Sequence, residues 1–195
     1  YEAGFSAFTL HRALIKKGID NIVVNPASIA IAANDKVKTD PRDSQRMAVD
    51  LADGRLKGIH IPTEQEELDR LLQRTRAQTV EHRATVSRQI KAKLNQFGLI
   101  AFDSQRMLSN SYIKEIEKKP IPIELLASLG ILFAHWRFLT KQLFELRRQM
   151  QVQAAAQPKL EKVYRSVPGV GEVSARVLAT ELGDMRRFAN EKSLY

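Results

Sequence analysis

Leu129–Met150 reads LGILFAHWRFLTKQLFELRRQM. Leu129, Leu132, Trp136, Leu139, Leu143, Leu146 and Met150 recur in alternating steps of three and four. That spacing holds the apolar side chains on one helical face through three heptads, as in a coiled-coil seam. A helix packed in an ordinary bundle shows a similar stripe, and a helical hairpin or coiled coil is the favoured expectation. Gln149–Gln157 is rich in Gln and Ala and reads as the tail of this helix.

A second long helix is expected over residues 63–97. Thr63-Glu64-Gln65-Glu66 has the form of a capping box, with acids in the first turn. Its inner stripe is Leu68, Leu72, Thr75, Thr79, His82, Val86, Ile90, Leu94 and Phe97, and Gly98 stops it. Antiparallel pairing of the two helices, within one chain or between copies, would bury both stripes, so a homo-oligomer is one expectation. Residues 99–124 read as mixed, broken at Lys118-Lys119-Pro120.

The 195 residues carry 31 Lys and Arg against 22 Asp and Glu, a net charge of +9. The excess is not uniform. Residues 1–69 hold 9 basic and 11 acidic side chains, whereas residues 70–119 hold 11 and 4. Acids at the front and a basic middle point to a polyanionic partner gripped by the helices, Arg88, Lys91 and Lys93 being candidate contacts. Cysteine is absent, which excludes disulfides and thiolate metal sites and is compatible with a reducing cytoplasm. No run of about 18 apolar residues occurs, so no membrane span is expected. No Gly-rich nucleotide loop of Walker or Rossmann form is present.

Toward the C-terminus, Val167-Pro168-Gly169-Val170-Gly171 separates helices expected at about 158–166 and 172–182. Helix, Pro-Gly-x-Gly turn and helix is the order of a helix-hairpin-helix. In that arrangement Gly169 and Gly171 would let backbone N–H groups approach a phosphate without reading sequence. A plain tight connection between packed helices has the same residues.

At the front, Phe5, Phe8, Leu10, Ala13 and Leu14 predict an amphipathic helix over 5–17 closed by Gly18. Ile22-Val23-Val24 is β-branched, bounded by turn residues, and reads as a buried strand. A short helix is expected from Pro26 through Ile29, Ile31 and Ala33, then a polar loop at 34–38. Glu2 to Val24 would thus form most of a βαβ unit, giving an α/β domain over residues 1–62. A helix over 41–53, with Met47, Ala48, Leu51 and Ala52 inward, completes that domain.

Lys38-Thr39-Asp40-Pro41-Arg42-Asp43-Ser44 carries the chemistry. Asp40 and Asp43 are three apart and share a helical face. Asp40 before Pro41 also has the form of an N-cap, a purely structural role. With Glu2 at the end of a strand, the three carboxylates would offer hard oxygen ligands for Mg²⁺ or Mn²⁺. Two such ions support phosphodiester cleavage. Lys38 and Arg42 lie beside them as phosphate contacts.

Tyr1-Glu2-Ala3-Gly4, Val24-Asn25-Pro26, Lys38-Thr39-Asp40-Pro41-Arg42-Asp43-Ser44, Val167-Pro168-Gly169-Val170-Gly171, Glu181-Leu182-Gly183-Asp184 and Arg187-Phe188 occur in this order. Together they resemble the DEDD-type transposases of insertion-sequence family one-ten, which include the Piv-type invertases. The resemblance implies a RuvC/RNase H-like α/β domain over 1–62, a helical coiled-coil region over 63–157 and the start of a C-terminal transposase domain over 158–195. It implies that Glu2, Asp40 and Asp43 are catalytic acids that bind Mg²⁺ or Mn²⁺. It further implies DNA as substrate, in some members a structured guide RNA, and a bacterial cytoplasmic, nucleoid-associated setting. The family's first Asp would precede residue 1, and its serine nucleophile would lie beyond Gly183-Asp184. The chain is therefore expected to be a fragment truncated at both ends and inactive alone; Ser174 and Ser193 are not in the nucleophile's motif. Two other readings stand beside this one: a Holliday-junction-resolvase-like nuclease, and a non-enzymatic nucleic-acid-binding coiled-coil protein.

Overall fold

The computed structural model of the chain describes residues 1–4, 8–29, 39–101, 105–156, 158–183 and 185–190. Seven α-helices are present among them: α1 (Thr9–Lys16), α2 (Asp40–Ala52), α3 (Glu64–Gln96), α4 (Asn110–Glu117), α5 (Ile123–Ala155), α6 (Pro158–Arg165) and α7 (Glu172–Leu182). Short 3₁₀ turns occur at Pro26–Ser28 and Met185–Arg187. The chain divides into two compact units, Tyr1–Gln65 and Glu66–Tyr195.

The α/β expectation for the front unit fails. Among the described residues there is no strand or sheet, only two isolated bridges centred on Val24: parallel to Glu2 and antiparallel to Gly58. Val24 exchanges backbone bonds with the 1–3 segment, donating to the Tyr1 carbonyl and accepting from the Ala3 N–H, each at 2.9 Å. On the other side the Ile59 N–H reaches the Val23 carbonyl at 2.8 Å. The apolar run is only three residues long, and Pro26, which has no N–H, cuts it. One residue pair on each side does not make a ladder. The RuvC-like sheet is thus replaced by a helical unit with a pinched extended segment. Among its described residues, Val23, Val24 and Ile29 are buried apolar side chains.

The helix ends in this unit follow the sequence better than its core does. α1 closes as expected: Gly18 has φ 72°, its N–H bonds the Ile15 carbonyl, and the Ile19 N–H bonds that of Leu14. This double bond is the Schellman motif, in which only glycine holds the left-handed position without strain. α1 itself buries nothing, and Phe5 lies outside the described residues. So do Ile31, Ala33 and the loop at 34–38; the expected short helix is seen only as the 3₁₀ turn. α2 also buries no residue, and Leu51 is 55% exposed, so the expected inward face of Met47, Ala48, Leu51 and Ala52 is not covered.

In the second unit the two long helices pair within the chain, antiparallel. Trp136 Nε1 donates to Ser87 Oγ at 3.0 Å, and Gln153 Nε2 donates to Asp69 Oδ1 at 3.0 Å. Moving 18 residues back along α3 (87 − 69) moves 17 forward along α5 (153 − 136), as antiparallel helices in step require. Val86, Ile90 and Leu94 of α3 meet Leu125, Leu129, Phe133, Trp136 and Leu139 of α5. α4, within the stretch that read as mixed, adds Tyr112, Ile113 and Ile116. Ser109 caps it by accepting the Tyr112 N–H at 3.2 Å.

α5 is long and apolar enough to cross a membrane by length and composition, which the sequence reading did not anticipate. Its buried face, however, is filled by the packing just described. The N-terminal half of α3 uses polar contacts instead: Gln73 is buried and donates to Thr180 Oγ1 of α7. Arg74 grips both oxygens of Glu181 at 2.7 Å, and Arg70 Nε donates to the Thr180 carbonyl at 3.0 Å. α6 and α7 lie close together, with Ala175 and Ala179 buried.

Candidate functional site

The front unit places Asp40 and Asp43 in the first turn of α2. The helix starts one residue earlier than expected. Thr39, in extended conformation, is the N-cap, so Asp40 is the first helical residue rather than the cap. Pro41 then fits the first turn, where its missing N–H costs nothing. Carboxylates here also favour the positive end of the helix dipole. Asp40 is exposed. Asp43 is half-buried, and its Oδ1 accepts from Arg46 Nη2 at 2.6 Å, one turn on. The Ser44 hydroxyl bonds the Asp40 carbonyl at 2.8 Å. Arg42 is exposed beside them, and Lys38 lies outside the described residues.

Glu2 is exposed on the segment bridged to Val24. It is not gathered with the α2 pair: among the described residues no three His, Cys, Asp or Glu side chains form a group that could hold a metal. The donor chemistry of Asp40 and Asp43 suits a hard divalent cation. One oxygen of Asp43 is already engaged by a guanidinium, which a cation would displace.

The second unit carries the basic surface. Arg88 donates to Glu81 Oε1 and to Thr85 Oγ1, both at 2.8 Å, and this bond holds the exposed Glu81 carboxyl below its ordinary range. Arg88 and Lys91 share a groove, whereas Lys93 is not among its lining residues. The groove brings in Arg83, which charge counting did not single out. Its signal was available: 83, 84, 87, 88 and 91 fall on one helical face.

The turn between α6 and α7 places Gly169 at φ 84° and makes Gly171 the N-cap of α7. Both are exposed. A carboxylate already sits at this helix start. Glu172 accepts from Arg147 Nη2 at 2.9 Å and from Gln151 Nε2 at 2.8 Å, and the Arg147 bond lowers its pKa.

The profile of the DEDD transposase family of IS110 type matches residues 3–98. Residues 3–98 thus carry the transposase domain of this family. Similar to it are y4qE of Sinorhizobium fredii, whose name proposes a transposase, at 28% identity over all of this chain and 47% of that protein. The transposase for insertion sequence element IS1328 of Yersinia enterocolitica is 26% identical over 67% of this chain and 38% of its own length. The transposase for IS1533 of Leptospira borgpetersenii is 24% identical over 100% of this chain and 58% of its own. The chain thus spans about half the length of the curated relatives it matches. No solved structure matches it.

Proposed function

We propose that the chain is part of a DNA transposase, with Glu2, Asp40 and Asp43 as its contribution to a divalent-metal site. The match of residues 3–98 to this family, with the similarity to proteins named as transposases, carries this reading. The presentation of Asp40 and Asp43 on the first turn of a helix that buries nothing supports it, because both can reorient without disturbing a core. A bound Mg²⁺ or Mn²⁺ would supply Lewis acidity toward a phosphodiester. The chain's own part is to present the carboxylates and, through Arg42 and Lys38, to hold a backbone phosphate beside them. Arg88, Lys91 and Lys93 on α3, with the Gly169–Gly171 turn, would grip nucleic acid without reading sequence. Residues 1–62, 63–157 and 158–195 would correspond to catalytic, helical and C-terminal segments. A structured guide RNA and self-association of the helical region belong to the same proposal.

The test is strand transfer from a supercoiled donor plasmid by the full-length protein in Mg²⁺. Asp40→Asn and Asp43→Asn are each expected to lower the rate at least 100-fold, the scale of losing an electrostatic catalytic group, while leaving the far-UV spectrum unchanged. Full activity of both variants would refute the assignment.

A further inference from the structure

The α3 groove has features that a general basic patch lacks. It is about 590 Å³ in volume and runs between one face of α3, the segment Met107–Asn110 and Trp136. Among the described residues three cations line it, Arg83, Arg88 and Lys91, and no carboxylate does. Arg83 and Lys91 are eight residue steps apart, about 12 Å of helix axis at 1.5 Å per residue. The same groove also has an apolar floor: Val80, Ala84, Leu108 and Met107, the last 82% exposed. Asn110, the first residue of α4, puts the positive end of that helix at the rim.

We propose that this groove binds a single strand of nucleic acid, with successive phosphates on Arg83, Arg88 and Lys91 and unstacked bases against Met107 and Leu108. The inference deepens the nucleic-acid reading above and rests on it. A duplex keeps its base faces stacked inside and would meet the apolar floor only with sugar and phosphate. A single strand offers π-faces that apolar and polarisable side chains cover. Trp136 is a wall rather than a stacking platform, because it is buried and its Nε1–H is committed to Ser87. The Glu81–Arg88 pair lies on the exposed surface, where such pairs contribute little, so a phosphate can take the guanidinium.

Trp136 is the only tryptophan in the chain and borders the groove, so its fluorescence reports occupancy. The 195-residue chain is titrated with 12-nucleotide single strands of DNA and of RNA, a 12-base-pair DNA duplex, and polyglutamate, over a salt series. Single strands are expected to change Trp136 emission, with a salt slope near −2 from three contacts at about −0.7 each. Arg83→Ala/Lys91→Ala is expected to reduce the slope by about 1.4 and the affinity about 25-fold at 0.1 M salt, by the same relation. Met107→Ser should weaken binding several-fold with the slope unchanged. Lys114→Ala/Lys141→Ala, equal in charge but off the groove, should change neither. Tighter binding of either the DNA or the RNA strand supports the proposal and identifies the source. Duplex binding without a Trp136 response to single strands overturns the groove while leaving the transposase reading intact. Equal losses from the off-groove variant, or a Trp136 response to polyglutamate alone, also overturn it.

Discussion

Arg176 on α7 is 2% exposed, and Nε, Nη1 and Nη2 all lack a hydrogen-bond partner among the described residues. Glu161 on α6 is 7% exposed, with Oε2 equally unpartnered. Both line a cavity between α5, α6 and α7 of about 10 Å³, room for one water at most. A guanidinium has five N–H donors, and one water accepts from two of them. At least three donors on a buried charge are therefore unsatisfied, and leaving even one unmade costs about 1–3 kcal/mol. Met150, Ala154 and Val173 also line the cavity, so an apolar unbranched side chain of similar reach suits it. Arg176→Met should raise stability by about 1–3 kcal/mol. With a urea m-value of about 2 kcal/mol/M, 2 kcal/mol moves the midpoint up by about 1 M. Urea unfolding followed by Trp136 emission, in the same unit, measures this. If Arg176 and Glu161 instead form a direct pair in solution, removing Arg176 strands the carboxylate and destabilises by about 3–5 kcal/mol. The two cases differ in sign, and a lowered midpoint refutes the reasoning.

Three further outcomes follow from the same packing. Ile90 is 0% exposed at the centre of the α3–α4–α5 core, so Ile90→Ala should cost about 2–5 kcal/mol in urea unfolding. Trp136→Phe keeps the ring but leaves Ser87 without its donor; a loss of about 1 kcal/mol beyond the size effect is expected, and Ser87→Ala in the same background should then be neutral. The Glu181 carboxyl is lowered by its hydrogen bonds from Arg74, so its stabilisation is fully present above the unfolded value near 4.3. It is lost as pH falls through the folded-state value. Glu181→Gln, about a third exposed at the site, should cost up to about 1 kcal/mol at pH 7, and the gap to wild type should close in acid. A gap that stays constant with pH would remove the ion pair from the account.

The long helices were legible because a burial stripe needs nothing but the chain's own spacing. α5 kept its seam at Leu129, Trp136, Leu139, Leu143 and Met150, but Phe133 joined the buried set and Leu132 moved to partial cover. A two-helix seam buries a narrow line, whereas α5 packs against both α3 and α4, and a wider contact takes in the neighbouring position. α4 was missed because eight residues in a polar stretch give too little periodicity to read; its one local signal was the Ser109 cap. The front unit was misread because a three-residue apolar run says nothing about whether a partner strand lies alongside it. Asp40 and Asp43 were placed correctly on one turn, since spacing alone fixes that, but how Glu2 relates to them depends on a tertiary path.

The N-terminal half of α3 shows why polar docking escapes pattern reading. The expected stripe there was Leu68, Leu72, Thr75, Thr79 and His82; Leu68 is 55% exposed and Gln73 is the buried residue. The real contact face is Arg70, Gln73 and Arg74, spaced three and four apart like an apolar stripe but written in side chains that count as surface. Its partners, Thr180 and Glu181, are 107 residues or more away in sequence. Long polar side chains bury their stems and satisfy their heads only against one particular neighbour. An apolar stripe specifies burial against any apolar surface, but this face specifies α7 itself. The hydrophobic seam therefore sets that α3 and α5 pair, while the polar face determines which C-terminal helix the free half of α3 receives.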